Sequence, residues 1–209
     1  MNFIRLVYIF CFLATYQATE FEKCNEGRKA CLGIPEGCFP DKPNECEYII
    51  GFEPPSNNEE YVTIELSTHR FTPHIDYIAI GFSDDREMGN EPVTVCSFTD
   101  DDKLVHLTWD PPIKFNIPAT EEILQVESEK VQLLDSKKTD DRLYCKFKQH
   151  TNKGETNPYL ADLSKQYHLL FARGPLFNHA EPRVLGAHSF NNNSLEFPQS
   201  TSVKLNLLE

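Results

Sequence analysis

Side chains able to do chemistry are sparse in this 209-residue sequence, and their spacing sorts them. Cys11 stands in an apolar N-terminal run; six more cysteines follow, Cys24, Cys31, Cys38, Cys46, Cys96 and Cys145. The first four lie 7, 7 and 8 residues apart, and the last two are 49 apart. No CxxC pair occurs, so the close ligand pairs typical of a structural zinc site are missing. An even set with no remainder leaves no thiol for catalysis and reads as disulfides. Cys96 is expected to pair with Cys145 and staple two distant strands. The first four are expected to pair among themselves, in a connectivity the sequence leaves open. Beyond Met1 the sole methionine is Met88, within Asp84-Asp85-Arg86-Glu87-Met88-Gly89-Asn90. A thioether in an acidic loop, followed by Gly and Asn, is oddly placed for core packing; it is either a soft metal ligand or a gap filler.

Seven histidines complete the inventory. His69, His74, His106 and His150 read as surface or strand residues. His168, in an apolar run, fits a satisfied core histidine or a pocket-lining group. His179 and His188 stand in loop-like surroundings near the end. The acidic runs Asp84-Asp85 and Asp100-Asp101-Asp102 offer hard oxygen donors, but neither has the spacing of an EF-hand loop, and both read as solvated turns. No nucleophile elbow, P-loop, HExxH or dinucleotide fingerprint is present. Nothing points to paired carboxylates for glycoside hydrolysis. With 20 Lys+Arg against 32 Asp+Glu the formal charge is −12, which argues against nucleic acid or an anionic membrane as partner.

These residues have to be placed by the elements around them. Residues 1–18 carry Arg5, an apolar run from Leu6 to Ala14 and a small Ala18, the layout of a cleaved secretory signal peptide. The run is shorter than the roughly 18–20 apolar residues of a spanning helix, so no membrane span is expected after cleavage. Residues 19–45 are rich in Cys, Gly and Pro, have no period and read as an irregular cap. Strands are predicted at 46–52, 61–67, 75–82, 93–98, 103–109, 123–128, 131–135, 142–148, 166–172, 184–190 and 203–208. The 75–82 strand, apolar or small on both faces after Asp76, reads as buried on both sides. One short helix is predicted at 157–164. Many short strands separated by Pro, Asn, Asp and Gly predict an all-β fold, an antiparallel sandwich or barrel. A tail over 191–209 holds the single N-glycosylation sequon, at Asn192.

Residues 75–96, IDYIAIGFSDDREMGNEPVTVC, join a strand ending in Gly-Phe-Ser, an acidic turn with Met-Gly-Asn, and a second strand ending in cysteine. With the cysteine cap CNEGRKACLGIPEGC, the strand RLYCKFK, YHLLFARGP and GAHSF, this order resembles the DOMON domain, in particular that of ferric-chelate reductase-like proteins. The resemblance covers roughly 24–190. It implies an immunoglobulin-like antiparallel β-sandwich over 46–190 behind a disulfide-rich N-terminal cap. It also implies a b-type haem at one end of the sandwich, with a Met from the acidic turn and a His from a late segment as axial ligands. The matching positions are Met88 and His188. His179 is the rival, and the Ser-Phe after His188 favours the latter. A Met/His pair fills both axial sites and raises the reduction potential, which suits electron transfer. The function implied is a secreted, extracellular haem-binding or electron-transfer module without catalysis of its own, acting with a redox partner protein. The alternative is a haem-free module binding a protein partner or a carbohydrate. Relatives that reduce ferric chelates add transmembrane haem helices, so autonomous ferric reduction is not expected.

Overall fold

The computed structural model describes residues 21–56, 59–99, 103–110, 120–177, 183–189, 191, 194 and 197–209, with the backbone alone for Trp109 and Asp110. Two antiparallel sheets face one another. The first has the order β1 (Ala30–Ile34), β2 (Tyr48–Glu53), β3 (Tyr61–His69), β8 (Arg142–His150), β7 (Val131–Lys138). The second runs β10 (Gln199–Ser200), β9 (Gln166–Gly174), β4 (Tyr77–Ser83), β5 (Glu91–Phe98), β6 (Lys103–Asp110). The short β11 (Leu205–Asn206) also pairs with β9, and the helix α1 (Glu121–Lys130) links β6 to β7.

Period-two patterning decides which side chains meet between the sheets. On the inner side β4 contributes Ile78, Ile80 and Phe82, β9 Leu169 and Phe171, β3 Val62, Ile64 and Leu66, and β8 Leu143 and Phe147. β4 lies between β5 and β9, and every one of its residues is buried, as its two apolar faces predict. Cys96 of β5 and Cys145 of β8 form a disulfide that ties the second sheet to the first through the middle of the core. Cys24–Cys31 and Cys38–Cys46 close the cap. The cap packs Phe21, Cys38 and Cys46 on Ile49 and Tyr144, on the outer side of the first sheet. Glu65, nearly buried, accepts from the Phe21 amide at 3.1 Å, Lys29 at 2.9 Å and Lys146 at 3.0 Å. Burial alone would raise its pKa; the two ammonium groups more than offset this and hold it below the ordinary value.

Four sequence expectations give way. Residues 123–128 belong to α1 rather than to a strand. Thr120 caps it by accepting from the Ile123 amide at 3.3 Å, Glu121 and Glu122 complement its first turn, and Ile123 and Glu127 share its buried side. Residues 157–164 are turns, not a helix: Asn157 accepts from the Tyr159 amide and Asp162 from the Ser164 amide, local bonds that compete with helical ones. The 184–190 segment forms no strand over its described residues, only a bridge between Leu176 and Leu185. The cap is not wholly irregular, because β1 lies within it and forms the edge of the first sheet.

Candidate functional site

The outer side of β4, β5 and β9 is unusually bare. Ala79 and Gly81 on β4 and Ala172 on β9 put almost no side chain there, whereas their neighbours in sequence fill the core. Walls rise around this floor from the turn after β4 and from the segments at 185–188 and 197–200. The cleft they enclose is about 840 Å³, within the usual range of a small-molecule site. It opens on the outer face of the second sheet, not between the two sheets at a tip of the sandwich, as a haem at one end had implied. The reason is the alternation itself: the inner face is already filled by large apolar side chains.

One wall carries Met88. Where β4 ends, Ser83 and Asp85 start a tight turn, with Asp85 Oδ1 accepting from the Glu87 amide at 2.8 Å. Gly89 at φ +131 and Asn90 at φ +78 then reverse the chain, conformations open to glycine and tolerated by asparagine. Buried Glu91 locks the reversal, because both its carboxylate oxygens accept from the Gly89 amide, at 2.9 and 2.8 Å. Met88 is thereby held half-buried against the cluster formed by Tyr77, Ala79, Val95, Ala172 and Leu176.

A second wall carries His188. After β9 the chain leaves through Pro175 and returns beside itself. The Phe177 amide donates to Val184 O at 2.9 Å and the Gly186 amide to Pro175 O at 2.8 Å. Gly186 is required here, since a Cβ would lie 2.8 Å from that same oxygen. The Tyr77 hydroxyl donates to Gly186 O at 3.3 Å and fastens the return to the cleft floor. His188 is half-buried on the cleft, with Nδ1 3.2 Å from Ser189 O. In the tautomer that donates this bond, Nε2 carries the lone pair a metal needs. Arg183 anchors the base of the same segment. Its guanidinium takes both oxygens of Glu127 on α1, at 2.8 and 2.5 Å, and Glu127 also accepts from the Leu107 amide. The hydrogen bond with Glu127 raises the Arg183 pKa. Beneath the same sheet face His106 is 1% exposed, with Nε2 3.3 Å from Ser97 Oγ. Burial, seconded by Arg183, pushes its pKa down to about 3, so the ring is neutral.

Met88 and His188, far apart in sequence, therefore line one cleft. His179, Asn192 and Asp100–Asp102 lie outside the described residues. His168 holds Thr201 O through Nδ1 at 3.1 Å. Asp84 pairs with Lys204 at 3.3 Å, and no group of three His, Cys, Asp or Glu side chains gathers for a metal among the described residues. Glu91, Arg183, Glu127 and Arg86 escape a reading of the sequence. Arg183, Glu127 and Arg86 act through partners brought near by the fold, and Glu91 through a turn amide two residues away that no sequence pattern marks.

The fold and this cleft define a class. The DOMON domain family model matches residues 55–174, more than half of the chain, and the chain belongs to that family. "Putative ferric-chelate reductase 1" of Danio rerio is 38% identical over 68 residues, 32% of this chain but 11% of that protein, so the chain matches only a small part of its curated relative. The cytochrome domain of Myriococcum thermophilum cellobiose dehydrogenase superposes with a TM-score of 0.51 at 10% identity, covering 77% of this chain and 76% of that one. The cytochrome b domain of pyranose dehydrogenase from Coprinopsis cinerea gives 0.50 at 10% identity and 74% coverage of each chain. At such identity the likeness is one of fold. No helix among the described residues is long and apolar enough to cross a membrane.

Proposed function

We propose that this protein is a secreted electron-transfer module that binds a b-type haem in the cleft, where Met88 and His188 would hold its iron. The observation that carries the reading is that the thioether and the imidazole line the same cleft over an apolar floor. The donor set suits the group: a thioether sulfur and an imidazole nitrogen are both ligands that would hold a haem iron. The floor suits it too, since a Cβ on Gly81 would already meet Glu91 at 3.3 Å and Leu170 at 3.5 Å, so the hollow depends on the small residues that make it. The Thr108 hydroxyl, buried at the cleft without a hydrogen-bond partner among the described residues, is a further sign of an incomplete environment.

When bound, the haem supplies a one-electron iron couple. The chain supplies the rest. Glu91 fixes the turn that presents Met88, and the Arg183–Glu127 pair fixes the segment that presents His188. Tyr77, Leu170 and Ala172 exclude water beneath them. The fold-level likeness to cytochrome domains supports the reading, as do three disulfides, which persist in oxidising compartments such as the extracellular space. A redox partner protein would deliver or accept the electron at the open side of the cleft.

The test is haem titration of the purified protein followed by absorption. Six-coordinate, low-spin b-type bands that are lost in Met88→Ala and in His188→Ala support the proposal. A wild-type protein that leaves the haem spectrum unchanged overturns it and leaves the haem-free interaction module.

A further inference from the structure

We infer that Arg86 is the anion anchor of this cleft and takes a carboxylate of the bound macrocycle, a haem propionate; this rests on the haem reading above. Arg86 is the one cationic side chain that lines the cleft among the described residues. It is exposed, at the rim rather than on the floor. Its Nε donates to Ser200 Oγ at 3.3 Å, and its two terminal nitrogens, with no hydrogen bond among the described residues, are left for other partners.

Those partners are not supplied by the acidic residues beside it. Asp84 pairs with Lys204. Asp85 is engaged with the Glu87 amide and Ser83, and Glu91 holds the Gly89 amide with both oxygens. Glu87, exposed on the same rim, makes no ion pair with Arg86 among the described residues. In a chain of formal charge −12, a guanidinium held by a serine at the mouth of an apolar hollow is the group out of place. A planar fork of donors matches a carboxylate bidentately. An iron porphyrin has an apolar body that suits the floor and two carboxylates that favour the wet rim, where Arg86 stands.

The experiment compares haem with its dimethyl ester, which keeps the ring and iron but lacks the negative charges. Both are titrated into wild-type protein and Arg86→Gln, and binding is read from the Soret band. Wild-type protein is expected to prefer the diacid. In R86Q haem affinity falls about tenfold, the worth of a charge-assisted hydrogen bond at its lower end, while ester affinity is unchanged and the low-spin bands keep their positions. An R86Q protein with the wild-type preference overturns the assignment, as does a parallel fall for haem and ester, which would mark a distorted cleft. A wild-type protein that binds neither porphyrin overturns the haem reading and this inference together. One that binds haem through Met88 and His188 without preferring it to the ester overturns only this inference.

Discussion

Mild acid should destabilise this protein through His106. The ring is 1% exposed, and its pKa falls from 6.5 to about 3 because burial, and then Arg183, disfavour the imidazolium. The unfolded chain takes up the proton near pH 6.5, whereas the folded chain refuses it until far lower pH. Stability from this group is therefore complete above pH 6.5 and is lost as pH falls toward the folded value. Between pH 7 and pH 5 the linkage amounts to about 2 kcal/mol, and any folded-state value below 4 gives nearly the same figure. The carboxylates whose pKa values are lowered, Glu65 and Asp162 among them, lose their contribution only at lower pH, so this window separates the two effects. His69, whose pKa is also lowered by burial and by Arg142, adds a smaller slope of the same sign. The assay is urea denaturation at pH 7 and pH 5, for wild-type protein and for His106→Gln. The variant should be less stable at pH 7 but lose about 2 kcal/mol less on acidification. Equal losses in the two proteins would refute the reasoning, because they would mean that His106 meets its proton alike in the folded and unfolded chains.

Removing the Cys96–Cys145 disulfide with paired Ala substitutions should cost about 4 kcal/mol for a loop of 49 residues, seen as a lower denaturation midpoint, with the cap disulfides intact by mass. Glu91→Gln exchanges a charge-assisted bond to the Gly89 amide for a neutral one. It should cost about 1–2 kcal/mol in denaturation, and, if haem binds as proposed, imidazole should displace the Met88 sulfur from the variant at lower concentration than from the wild type.

Strands whose two faces differ, or whose faces are both apolar, could be read from sequence. YVTIELS and IDYIAIGF lie within or overlap β3 and β4 because alternation is a local property of the chain. ILQVES misled because Leu124 and Val126 alternate with Gln125 and Glu127 as in a strand, while Ile123, Val126 and Glu127 equally fit one helix face; the decisive signs, Thr120 and the acidic first turn, lay just outside the segment. The 184–190 segment has strand-like residues but is shaped by Pro175 and Gly186 instead. Of the candidate site, Met88 was legible because no other methionine follows Met1, and His188 because its surroundings matched a family order. The floor was not. Ala79, Gly81 and Ala172 are unremarkable residues until β4 and β9 set them side by side, with Ala79 opposite Ala172.

The cleft and the inter-sheet core occupy opposite faces of one sheet, and among the described residues no side chain of that inter-sheet core lines the cleft. The sandwich can thus be folded and cross-linked before any guest arrives. On the proposed reading, loading with haem would then be the last event of maturation rather than its nucleus, and the empty protein would be a competent receiver, not a casualty.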